Sequence, residues 1–322
     1  MTVAGGTILD VGGLKIGQTH DEEVKTGVTV ILPDAPATCA VDVRGGGPGT
    51  REVAALQDGG LINQIHAIVL SGGSVYGLAA ADGVMTWLGL QRIGYAPVIA
   101  AHIPVSPIVP GAILFDNANG GDKAWVEKPP FRELGIAACK NTSPELRQGR
   151  AGAGFGATAG LYQGGVGSAS ETLDEMTVGA IIAANPVGSP YMPGTRVPWA
   201  WPYEKTGEFG GERPPTGYVW SPPRDTKLSI VSLKAGQSTI IGAVATDAGL
   251  TQKQLKRLAI MAQDGIAMAV QPAHTPLDGD TVFALSTGDK SCDSPLALAE
   301  LGAAAARCVA RAIAKGVYLA NS

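Results

Sequence analysis

The sequence predicts an α/β (α+β) protein in which β-sheets stack against one another and are covered on the outside by helices. Short apolar runs recur along the chain, several of them bounded by Gly, Pro or Asp as strands are. These runs are apolar on both faces rather than alternating, the pattern of strands buried on two sides. Between and after them lie longer, Ala-rich segments with helical periodicity, and a helix with one apolar stripe has to cover another layer.

The predicted strands are "GVTVILP" (27–33), "CAVDVRG" (39–45), "AIVLSGG" (67–73), "VGAIIAANPVG" (178–188), "KLSIVSL" (227–233), "TIIGAVAT" (239–246) and "TVFALST" (281–287). Residues 74–94 read as a helix that tolerates internal glycines. In 251–270, Thr251 and Gln254 have capping-box spacing, and Leu255, Leu258, Ala259, Ala262, Ile266 and Ala269 share one face. In 294–316, Ser294 is the N-cap, Pro295 the first helical position and Gly316 the stop. There is no internal repeat. Residues 189–227 break the pattern, with eight of the 22 prolines, three of the five tryptophans (Trp199, Trp201, Trp220) and no periodicity. They predict a long loop that the aromatics anchor as an interface arm or pocket wall rather than an exposed linker.

The chain has 322 residues, 45% apolar and 16% charged, which suits a large packed core and excludes disorder. The formal charge of −4, with Lys and Arg scattered, leaves no footprint for nucleic acid. Cys39, Cys139, Cys292 and Cys308 have no C-x-x-C spacing and read as reduced core thiols. The sequence shows no signal-like start and no ~20-residue apolar run, so a cytoplasmic protein without membrane contact is expected.

Elimination narrows the chemistry. "GGSVYG" and "GVGSAS" both depart from the G-x-S-x-G of a serine esterase. No cysteine lies near His20, His66, His102 or His274, and none of these histidines has metal-ligand spacing, so neither a thiol nucleophile nor a metal is expected. "AGAGFGATAG" (151–160), with Asp174 about twenty residues on, has the spacing of a dinucleotide fingerprint. The polar "CKNTSPELRQGR" before it, however, is not the buried strand that motif needs. What remains is "QSTIIGAVATDA", where Ser238 and Thr239 open a rigid apolar strand. A Thr freed as a chain N-terminus can use its own α-amino group, which titrates near ~8, as base. A strand that merely begins with polar residues would look the same.

"TGVTVIL", "AVDVRGGGPGTRE", "IVLSGGSVYGLAAADGV", "SPIVPGAILFD", "GRAGAGFGATAG", "GGVGSAS" and "IIGAVATDA" run in order over nearly the whole chain. Together they resemble the L-aminopeptidase/D-esterase family, which includes the β-peptidyl aminopeptidases and nylon-oligomer hydrolases. The resemblance implies a single four-layer αββα domain over 1–322, self-cleaved between Ser238 and Thr239 into 1–238 and 239–322, with no cofactor. It also implies assembly into homo-oligomers, tetramers most often. The family's nucleophile falls on Thr239 and its oxyanion-stabilising Asn on Asn185 of "AANPVGS". Its pair of residues one apart falls on Asp278 and Asp280 of "LDGD", there to orient the nucleophile and tune its pKa; an ordinary turn before a strand can also read "LDGD".

Three positions depart from the family. Ser238 stands where Asn or Gly is common, which also makes it a second candidate nucleophile; Phe115 stands where the nylon-oligomer hydrolases have Tyr; and Leu161 stands where many relatives have Lys. Losing that phenol and ammonium implies a more apolar substrate pocket at Phe115 and Leu161. The expected function is hydrolysis of short peptides, amides or esters at the N-terminal residue, including β- or D-configured residues or ω-amino-acid oligomers. The alternatives are a silent relative that binds a small apolar ligand and a dinucleotide-binding enzyme.

Overall fold

The computed structural model describes residues 5–57, 60, 62–98, 100, 102–125, 127–229 and 236–322. In chain order the strands are β1 (Leu14–Asp21), β2 (Thr26–Pro33), β3 (Ala37–Val43), β4 (Thr50–Arg51), β5 (Gln64–Ile65), β6 (Ile68–Ser71), β7 (Gly111–Ile113), β8 (Thr142–Ser143), β9 (Thr158–Ala159), β10 (Tyr162–Gln163), β11 (Gly165–Leu173), β12 (Met176–Asn185), β13 (Thr239–Ala248) and β14 (Thr281–Lys290). The α-helices are α1 (Ala79–Leu90), α2 (Phe131–Lys140), α3 (Gln252–Ala269) and α4 (Pro295–Ala320). One sheet has the order β4-β7-β6-β2-β1-β8 and the other β11-β12-β13-β14-β3-β5.

The apolar-on-both-faces pattern resolves into three cores. Ile241, Ala243 and Ala245 of β13 meet Ile16, Ile31, Ile68 and Leu70 of the other sheet. Their neighbours Ile240 and Val244 turn the opposite way, onto Leu255, Leu258, Ile266, Val309 and Ile313 of α3 and α4. On the far side, Val28, Val30 and Val69 pack against Ala80, Val84, Phe131 and Leu134 of α1 and α2. The result is the expected αββα sandwich. All four cysteines are buried and unpaired. Burial pushes the Cys139 and Cys308 thiols up to about 12, which suits packing and not nucleophilic chemistry. Among the described residues no helix is long and apolar enough to cross a membrane.

Thr251 and Ser294 cap α3 and α4 as expected, with both halves of the Thr251–Gln254 capping box formed. Other details differ. Residues 74–78 form a 3-10 turn before α1 starts at Ala79. Lys227–Ser229 is also a 3-10 turn, not the start of a strand, and 230–233 lie outside the described residues. Strand β11, helix α2 and strand β1 were not anticipated; the "GGVGSAS" of β11 has little β propensity. "AGAGFGATAG" holds a single 3-10 turn, Gly152–Gly154, lying between β8 and β9. It has no strand–turn–helix frame for a dinucleotide.

Gly316 is not the stop of the last helix, which continues to Ala320. Its role is close packing, since a Cβ there would lie 2.7 Å from Gly167 N and 2.8 Å from Val166 C on β11. Gly316→Ala tests which effect wins. Helix propensity favours Ala by roughly 1 kcal/mol, but both colliding atoms are backbone, and overpacking costs about 1–3 kcal/mol. A net loss of stability is expected in a denaturant titration; a stabilised variant would rule the packing role out.

Residues 189–227 do form a long irregular arm, and it is anchored to α4. Glu208, fully buried, receives hydrogen bonds from Arg311 at Nε (2.6 Å) and at the guanidinium amino group (2.9 Å). Lys315 Nζ sits 3.7 Å away. The same two cations donate to Gly5 O, Gly6 O, Ser168 O and Ser170 O, so one buried cluster joins the arm, the N-terminal segment and β11.

Candidate active site

The register of the second sheet gathers the site. β12 and β13 are antiparallel with Asn185 opposite Thr239, so the last residue of one strand faces the first of the next. β14 runs parallel to β13, with Ile241 beside Thr281. The residues just before β14 therefore flank the entrance of β13, and Ser238 bridges Asp278. Asn185, Ser238, Thr239, Asp278 and Asp280 all come together at one end of the sheet, each at most 2% exposed.

The Thr239 hydroxyl donates a very short hydrogen bond to Ser238 O, the carbonyl of its own preceding peptide bond. That oxygen also accepts from Gly279 N at 3.1 Å. The carbonyl is thus held and polarised from one side while the β-branched nucleophile candidate rests on it.

The two aspartates divide their work. Asp280 Oδ1 accepts from Ile240 N at 2.8 Å, immediately after Thr239, and its Oδ2 lies 2.7 Å from His274 Nδ1. Burial raises the Asp280 pKa, the His274 contact opposing it. Asp278 does not reach Thr239. Its Oδ1 accepts from Val187 N (3.0 Å), and its Oδ2 accepts from Thr275 N (3.0 Å) and Oγ1 (2.6 Å), fastening the exit of β12 to the 275–278 turn. Asn185 is equally committed: Nδ2 donates to Phe115 O (3.0 Å), and Oδ1 accepts from Thr158 N (3.0 Å) and Lys227 Nζ (3.1 Å). The donors at the Ser238 carbonyl are therefore Thr239 Oγ1 and Gly279 N, not Asn185.

Beside these residues lies a cavity of about 360 Å³, whose lining includes Phe115, Asp116, Asn119, Thr158, Leu161 and Lys227. Phe115 and Leu161, the two residues expected in a substrate pocket, both line this cavity. Asp116, which sequence reasoning passed over, holds its carboxylate through Thr26 Oγ1 and Gly73 N, both at 2.7 Å, and burial raises its pKa. Gln237 also lines the cavity, whereas Thr239 is not among its lining residues.

Two further residues were missed. His274 was considered only as a metal ligand or cysteine partner, although it stands six residues before Asp280. Lys227 was read as the polar head of a strand. The residue is 5% exposed; its backbone N–H is tied to Val187 O at 2.9 Å, and its Nζ reaches Asn185 O, Asn185 Oδ1 and Ser238 Oγ. Burial pushes this amine down to about 7, only partly offset by Asp278. A lone lysine entering an apolar run was the available signal.

The chain matches Peptidase family S58 over residues 6–322. It is 41% identical to an uncharacterized aminopeptidase of Mycobacterium tuberculosis, covering 98% of this chain and 94% of that one. It is 33% identical to a 6-aminohexanoate-oligomer endohydrolase of Agromyces, covering 87% and 74%. Its fold superimposes on the L-aminopeptidase D-Ala-esterase/amidase of Ochrobactrum anthropi with a TM-score of 0.71 at 21% identity, covering 98% and 87%. A Burkholderia β-aminopeptidase matches with a TM-score of 0.68 at 20% identity, covering 98% and 87%. Sandwich and sequence agree: the chain belongs to peptidase family S58 and has the fold of the N-terminal-nucleophile hydrolases.

Proposed function

We propose that the protein is a self-activating amide hydrolase whose nucleophile is Thr239. The observation that carries this reading is the Thr239 hydroxyl resting on the Ser238 carbonyl while Gly279 N–H holds that oxygen from the other side. Attack of Oγ1 on the carbonyl carbon moves the acyl group from nitrogen to oxygen, with Gly279 N–H stabilising the charge that develops. Water then hydrolyses the ester and releases Thr239 as a new N-terminus. Departure of the end of the first fragment opens the pocket to Thr239, whose α-amine then acts as base on an incoming amide.

Asp280, bonded to Ile240 N and His274, fixes the head of β13 and faces the new ammonium. Asn185 needs only to exchange Phe115 O for a substrate oxyanion to serve the second reaction. Phe115 and Leu161 make the pocket wall apolar, and Asp116 is the acidic group for a substrate amine, which together suit short N-terminal amides and ω-amino-acid oligomers. The names of the relatives, aminopeptidase and 6-aminohexanoate-oligomer endohydrolase, point the same way. We further propose a cytoplasmic location, consistent with four unpaired cysteines. Homo-oligomeric assembly, most simply a tetramer, fits the exposed Leu90, Tyr95 and Val98.

Amino-acid p-nitroanilides, β-dipeptides and 6-aminohexanoate oligomers, incubated with the purified protein, test the substrate class. Release of amine from at least one of them by wild type and not by Thr239→Ala is expected. Binding of these compounds without turnover would instead identify a silent relative.

A further inference from the structure

We propose that Lys227 is the proton carrier of the self-cleavage step, acting on the scissile bond through the Ser238 hydroxyl. The proposal rests on Thr239 being the nucleophile and assigns the proton's path. Among the described residues, Nζ of Lys227 lies at hydrogen-bonding distance from Asn185 O and Asn185 Oδ1, both at 3.1 Å, and from Ser238 Oγ at 3.4 Å. Among the described residues no carboxylate oxygen lies within ion-pairing distance of it, and the residue is 5% exposed. A buried ammonium without a partner carboxylate is costly, which favours the neutral amine. A neutral amine has two hydrogens and one lone pair. The two Asn185 oxygens can only accept, so they take both hydrogens and leave the lone pair toward the Ser238 hydroxyl, which can donate. After gaining a proton the same nitrogen has three hydrogens for the same three oxygens. The site therefore holds either form of the amine without rearrangement, as a proton carrier requires, and the amine titrates near neutrality.

The bookkeeping of atoms closes without any external reagent until the last step. The Thr239 hydroxyl, which donates to Ser238 O at rest, turns from that oxygen as Oγ1 bonds to the carbonyl carbon; its proton then passes to Ser238 Oγ, which gives its own to Lys227. As the carbon–nitrogen bond then breaks, the proton returns by the same route to the Thr239 nitrogen, which leaves as an amine. The products are the Ser238–Thr239 ester and a neutral Lys227. Water hydrolyses the ester. Ser238 thus carries a hydroxyl next to the bond being cut because it relays the proton and not because it attacks.

The test is a time course of conversion of the full-length precursor into its 238- and 84-residue parts (322 − 238 = 84), followed by denaturing mass spectrometry. Lys227→Ala is expected to slow conversion on the order of 10²-fold or more, the range of a lost acid–base group. Added methylamine is expected to restore part of the rate, which a misfolded variant would not allow. Lys227→Arg, whose guanidinium keeps its proton, is expected to remain uncut. The wild-type rate is expected to rise with pH through about 7, where the amine becomes neutral, and Lys227→Ala to lose that rise. Ser238→Ala is expected to slow conversion comparably. Conversion of Lys227→Ala at the wild-type rate with an unchanged pH profile overturns the proposal, and wild-type conversion of Ser238→Ala overturns the relay. A Thr239→Ala control separates the two levels. If it stays intact while Lys227→Ala is cut normally, only the role of Lys227 falls; if it too is cut, the nucleophile assignment falls with it.

Discussion

Thr239→Ala is expected to persist as one 322-residue chain and to lose hydrolysis of any amide that the wild type turns over, by about 10⁴-fold or more. The substitution removes the hydroxyl that rests on the Ser238 carbonyl, while leaving Gly279 N–H and the pocket in place. Because Thr239 is buried at the head of a paired strand, loss of its methyl and hydroxyl creates little room and should not unfold the protein. Thr239→Ser provides the complementary result. It keeps the oxygen and gives up the β-branch that restricts the rotamer, so cleavage and activity should continue at reduced rates. Rates from mass-resolved conversion and from amine release check both variants. An active, cut Thr239→Ala protein would transfer the nucleophile's role to another group, Ser238 first.

The largest stability effect is expected from the cluster beneath the arm. Arg311→Met would leave Glu208 buried with, among the described residues, only Lys315, 3.7 Å away, to balance it, and would remove the Arg311 bonds to Gly5 O and Ser170 O. Removing one partner of a buried pair costs about 3–5 kcal/mol because the remaining charge is uncompensated. The urea midpoint should fall accordingly, and the double variant Arg311→Met/Glu208→Gln should recover part of the loss because the stranded charge is gone. A single variant within about 0.5 kcal/mol of wild type, the range of ordinary surface changes, would show that the cluster does not fasten the arm. The consequence reaches the site: the arm ends at Lys227, so loosening it at Glu208 is expected to slow maturation as well.

Much of the fold was legible because its signals are local. The apolar runs of β2, β13 and β14 and the caps at Thr251 and Ser294 depend on neighbours within a few residues, and each formed where expected. β11 was not legible, since its Gly and Ser residues have little β propensity and are held as a strand by pairing along β12, with α4 lying close over Gly167. Gly316 was misread for the same reason; a glycine that permits close packing and one that ends a helix look alike in sequence. In the site, the resemblance to relatives placed Asn185, Thr239, Asp278 and Asp280, and strand register explains why residues so far apart in the chain meet. It did not distinguish Asp280, which touches the head of β13, from Asp278, which fastens a turn. Lys227 stayed hidden because its importance lies in its burial beside Asn185 and Ser238, reached through a 39-residue arm with no periodicity to read (227 − 189 + 1 = 39). Leu161, where the resemblance led to the expectation of a lysine, lines the same cavity as Lys227.

The most direct test of self-cleavage at Thr239 is the intact mass of the purified wild-type protein under denaturing conditions. Two polypeptides of 238 and 84 residues, the smaller beginning with an unblocked threonine, are expected. A fully active preparation consisting of one uncut 322-residue chain would contradict it.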